Sequence, residues 1–163
     1  MVFLLLAGGL FQSLMPAAAW MGLSKPPVLL AVALYYALVH SRGMALTAAI
    51  FAGIIQDSMS LFPVGYSSLC FVAFALIVGG ARETLFRDSL FTVAIVGGVL
   101  SALTTLALYL MLQVNALEVH LPAWWVALKM GGSAILGLGT VPVVWWLASS
   151  LEHQVGSTVS EER

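Results

Sequence analysis

Charge is what this chain has least of. Of 163 residues only 8% are Asp, Glu, Lys or Arg, six basic and seven acidic, against about 25% in an average soluble domain. So few ionic groups cannot cover the surface of a soluble fold of this length, so the solvent for most of the chain is lipid. The net charge of −1 leaves no basic footprint for nucleic acid. A single cysteine, Cys70, excludes an intrachain disulfide and lies in an apolar run, where it reads as a small buried hydrophobe. The three histidines, His40, His120 and His153, fall in three separate polar segments, whereas a metal centre needs convergent ligands. There is no phosphate-binding glycine loop and no GxSxG elbow. No metal, cofactor or catalytic function is expected.

What is present is hydrophobic length. The residues are 61% apolar and the mean hydropathy is +1.05. The apolar runs are continuous rather than alternating, which excludes a transmembrane β-barrel and implies helices. Six runs stand out: 2–14, 28–39, 44–61, 66–81, 89–113 and 123–149. They predict an all-α polytopic membrane protein, a six-helix bundle over residues 1–151 with short, irregular early spans, followed by a polar cytoplasmic tail over 152–163. No Lys or Arg precedes the first run, so it is expected to be a retained span rather than a signal peptide. Lys25-Pro26-Pro27 opens the second run, since consecutive prolines cannot sit inside a helix. That run is short: Pro26 to Ser41 covers about 24 Å, against about 30 Å of hydrocarbon. It must be sheltered by neighbours or thin the bilayer locally. His40 to Gly43 is expected to be a polar turn. Small-xxx-small spacing, which lets helix backbones approach closely, occurs at Ala49/Gly53, Ala48/Ala52, Gly97/Ser101 and Gly98/Ala102. Trp124-Trp125 and Trp145-Trp146 bracket the last run as interfacial belts. With six spans both termini share one side, and placing that side in the cytoplasm puts Arg42, Arg82, Arg87 and Arg163 inside against Lys25 and Lys129 outside, in line with the positive-inside rule.

The informative stretch is 56–66. An ionisable residue within an apolar run is expensive and usually has a partner or a task, and Asp57 is the one acid so placed, flanked by Gln56 and Ser58 and followed by Pro63, Gly65 and Tyr66. Two readings stand together. Asp57 caps a helix end where the chain breaks before Pro63, or it makes a buried polar contact to another subunit or a small ligand. A second group, Arg82, Glu83, Arg87 and Asp88, is expected to form a solvated cytoplasmic face, with docking of a cytoplasmic partner as its sharper alternative. Lys129 is expected to snorkel to the interface.

With these residues in view, the chain resembles the MreD family of rod shape-determining proteins. The likeness rests on the proline-led short span, the basic turn at His40–Gly43, the Ala/Gly-rich span ending in Gln56-Asp57-Ser58, and Phe62-Pro63-Val64-Gly65 leading into a hydrophobic helix that reaches Arg82. Where the family usually has Asp after the proline of the second span, this chain has Pro26-Pro27-Val28. The resemblance implies a non-enzymatic subunit of the cell-elongation machinery in the bacterial inner membrane. Its implied partners are an MreC-like bitopic protein and, through it, RodA and a penicillin-binding transpeptidase, with membrane lipid around it. It also implies a fold similar to the S components of energy-coupling-factor vitamin transporters. That likeness supplies a rival function, a small-molecule-binding transport component with Gln56, Asp57, Tyr66, Ser67 and Ser68 as pocket residues. A generic membrane anchor is the third reading.

Overall fold

The computed structural model describes residues 2–15, 25–59, 65–85, 90–114 and 123–160, with side chains at 82–85, 90, 112, 114, 123 and 152–160 outside that description. The described chain is entirely helical: α1 (Val2–Leu14), α2 (Val28–Val39), α3 (Arg42–Ser58), α4 (Tyr66–Leu85), α5 (Leu90–Val114) and α6 (Ala123–Ser160). Two helices are long and apolar enough to cross a bilayer by themselves, Phe91–Met111 within α5 and Trp124–Leu151 within α6. The two tryptophan pairs lie about 30 Å apart along α6, the thickness of the hydrocarbon layer, and Trp124 and Trp146 are both well exposed.

The fold is built around α2. Its sequence, VLLAVALYYALV, has no polar face, and a helix apolar all round is buried by protein or lipid. Here protein does it. Ten of its twelve residues, Val28 through Ala37, are buried, and α2 touches each of the other five helices. The shortness that looked like a liability is explained by this shelter. Lipid is as apolar as leucine, so the close fit contributes van der Waals contact rather than hydrophobic gain. At its far end Tyr35 packs edge-on against Trp145 of α6 at 5.1 Å between ring centres, and the half-buried His40 ring lies 4.8 Å from that of Tyr36.

Small residues set the remaining distances. A Cβ added to Gly53 of α3 would be laid onto the Ser68 backbone of α4, and the Ser68 hydroxyl donates to the Ile50 carbonyl at 3.1 Å. In the α5–α6 pair, a Cβ on Gly97 would collide with Val141 and one on Gly137 would come within 2.9 Å of the Gly97 carbonyl. Just beyond, Ser101 donates to the Ser133 carbonyl at 2.7 Å and the Thr105 hydroxyl lies 2.9 Å from that of Ser133. The small-residue stripes therefore serve the chain's own helix pairs.

Three boundaries differ from the sequence expectation. Arg42 is the first residue of α3 rather than part of a four-residue turn, because a local bond from the Ala45 N–H back to the Ser41 carbonyl four residues earlier, 3.0 Å long, already starts the helix there. Helix α3 ends at Ser58, short of Leu61. Helix α6 continues past the apolar run to Ser160, into the segment expected to form a polar tail.

Gly53→Leu is expected to destabilise the bundle by about 1–3 kcal/mol or more through overpacking. Gly139→Leu, whose added Cβ meets nothing, should leave stability unchanged. Thermal unfolding of both variants in detergent checks this.

Candidate functional site

Four helix ends converge at one end of the bundle: the last turns of α1 and α3 and the first turns of α2 and α4. The first N–H groups of a helix have no partner within it, and buried N–H groups must be satisfied. Both helix starts here lack the usual local cap. Pro27 precedes α2 and offers no side-chain hydrogen bond. Gly65 precedes α4, whose first turn contains no acid.

Gly65 stands there for a backbone reason. Its φ is +116°, a region open to glycine and strained for residues with a Cβ. A residue with a capping side chain is thereby excluded, and the cap comes from another helix. Asp57, near the end of α3, is 1% exposed. Its Oδ2 accepts the Gly65 N–H at 2.6 Å and its Oδ1 accepts the Ser67 N–H at 3.1 Å. A carboxylate is disfavoured at the C-terminal end of its own helix and favoured at the N-terminal end of another. Two N–H donors at the start of α4 converge on this one carboxyl group, so the second effect outweighs the first.

Helix α2 is started the same way. The Leu29 N–H donates to Gln12 Oε1 at 3.2 Å, and Gln12 Nε2 donates to Gln56 Oε1 at 2.8 Å. Gln12 is 5% exposed and belongs to α1. Adjacent residues of α3 thus face opposite partners, Gln56 toward α1 and Asp57 toward α4. Together they hold four helices by three side chains.

Of the residues singled out from sequence, Gln56, Asp57 and Gly65 meet in this junction. Ser58 is exposed and donates back to the Ile54 carbonyl at 2.8 Å. Tyr66 opens α4, and Pro63 lies outside the described residues. Ser67 is fully buried and its hydroxyl has no partner among the described residues, while its main-chain N–H goes to Asp57. Of the charge cluster, Arg82 and Glu83 lie near the end of α4 with side chains outside the description, and Arg87 and Asp88 are outside it altogether. Gln12 was missed. Its signal was available, a lone amide in an otherwise apolar segment.

Among the described residues, the junction has side-chain acceptors matched to main-chain donors. Among the described residues no three His, Cys, Asp or Glu side chains gather as metal ligands. The arrangement can position helices.

Asp57→Ala strands the buried Ser67 N–H and the part-buried Gly65 N–H and is expected to cost about 2–6 kcal/mol, at about 1–3 for each unsatisfied group. Asp57→Asn keeps one good acceptor and should lose roughly half as much. Ser67→Ala removes an unpaired hydroxyl and is expected to be neutral or stabilising. Unfolding in detergent, with hydrogen exchange at the first turn of α4, distinguishes the three.

In comparison with known proteins, the family profile described as rod shape-determining protein MreD matches residues 1–136. No curated protein and no solved structure matches the chain.

Proposed function

The chain belongs to the MreD family of rod shape-determining membrane proteins, and from that premise we propose that it is a non-catalytic, multi-pass subunit of the bacterial cell-elongation complex. In this reading it crosses the inner membrane six times with both termini in the cytoplasm. It binds an MreC-like bitopic protein and through it influences RodA and the penicillin-binding transpeptidase that build peptidoglycan.

One observation carries the reading: the side-chain acceptors of Gln12 and Asp57 are engaged by main-chain N–H groups of α2 and α4. Such a site supports holding a shape that a partner grips. It offers little to a captured solute, because Gln56 is bonded to Gln12 and the Ser68 hydroxyl to the Ile50 carbonyl. The vitamin-binding alternative therefore loses most of its proposed pocket residues.

Since the small-residue stripes are filled by the chain's own helices, a partner helix must use an outward apolar face. Helices α5 and α6 present the longest ones, with Phe91, Ile95, Val99 and Leu103 on α5 and Ile135, Val143 and Trp146 on α6 all exposed. The expected arginine bias, with Arg42, Arg82, Arg87 and Arg163 on the inner side, supports the orientation.

Affinity purification from native membranes tests the proposal. A bitopic companion is expected in the eluate. Its recovery should fall at least severalfold for Asp57→Ala and stay unchanged for Phe3→Ala, a substitution on the exposed side of α1. Undiminished recovery and rod shape with Asp57→Ala would reduce the residue to a local cap. A tightly held vitamin-sized molecule with no companion protein would favour the transport reading and remove this one.

A further inference from the structure

At the opposite end of the bundle from Asp57, a groove of about 220 Å³ opens between α2, α3 and α4. Its floor is small and apolar, with Ala37, Ala45, Ala75, Gly79 and Gly80 among the lining residues, and its one charged lining residue is Arg42. No atom lies within 4 Å of where a Gly80 Cβ would be, so the space along α4 is open rather than closed by packing. The guanidinium also sits on the first residue of α3, where the Ser41 side chain makes no capping bond and the helix end carries partial positive charge.

We propose that this groove binds one anionic phospholipid, its phosphate held by Arg42 and the start of α3 and one acyl chain laid along the glycine and alanine floor. The charge selects an anion, the apolar floor selects a hydrocarbon tail, and the two are adjacent. A guanidinium pairs with a phosphate by two parallel N–H···O bonds, which an ammonium does not match. A lipid bound there would bridge the ends of three helices at a point where the protein's own side chains leave a gap. This inference rests on the membrane placement proposed above and not on the companion protein.

The test titrates the purified full chain in neutral detergent with phosphatidylglycerol or phosphatidylcholine and follows thermal unfolding. At about tenfold excess over half-saturation, phosphatidylglycerol is expected to raise the unfolding temperature by roughly 3–6 °C, with phosphatidylcholine giving little shift. Arg42→Gln, at an exposed position, should keep the lipid-free unfolding temperature and lose the preference. Gly80→Leu fills the open space and should abolish the response to both lipids. Equal shifts with the two lipids, or a preference that survives Arg42→Gln, would overturn the proposal. So would inorganic phosphate alone reproducing the shift, or a photocrosslinker at position 80 capturing a protein helix instead of lipid. Absence of a lipid preference in the unsubstituted chain, with companion recovery intact, would sink this inference and leave the functional reading standing.

Discussion

A helix that begins among other helices, away from water, must find acceptors for its first N–H groups within the protein. This requirement shapes one whole end of the molecule. The two helices whose starts are crowded, α2 and α4, are each preceded by a residue that cannot supply a cap, Pro27 and Gly65. Their acceptors come from α1 and α3 instead, through Gln12 and Asp57. Local backbone need is thereby turned into tertiary constraint: forming the first turn of α4 requires α3 to be in place, and forming that of α2 requires α1. Gln56 then joins the two caps into one network.

The same constraint explains the unequal division of the bundle. Helices α5 and α6 are long, largely exposed to their surroundings, and bound to each other by glycine contacts and the Ser101–Ser133–Thr105 hydroxyl ladder. The first four helices are short and owe their order to α2, which they and the long pair enclose. A polypeptide with so few charges has little scope for ion pairs as specificity devices. Close backbone approach at Gly53, Gly97 and Gly137 and a handful of buried hydrogen bonds take that part, as expected where lipid removes the hydrophobic drive for helix association.

Function follows from the same economy of polar groups. A protein of this family acts in rod shape determination, and the junction at Asp57 is consistent with a part whose value is its shape. The groove at Arg42 differs in kind. There a charge and an apolar channel lie together, which is the pattern of a site for a ligand that is itself charged at one end and apolar at the other.

The all-helical class, the membrane setting, and the positions of α1, α2 and the start of α4 were legible in the residues, because continuous apolar runs and proline or glycine breaks are local properties. So was the importance of Asp57, since an acid in such a run announces a partner. Which partner was not legible: the acceptor serves N–H groups eight and ten residues further on, across a turn, and backbone donors leave no signature in side-chain identity. Gln12 escaped for the same reason, its bond to the Leu29 N–H depending only on how α1 crosses α2. The stripes at 48–53 and 97–102 declared close packing but not with whom, and an outside partner helix was as compatible with them as α4 and α6 proved to be. Sequence alone determined which segments prefer lipid and where the chain must break, because those depend on transfer of each residue from water. Only the tertiary structure decided which ends meet, since a main-chain donor is the same in every residue and is distinguished solely by what is brought beside it.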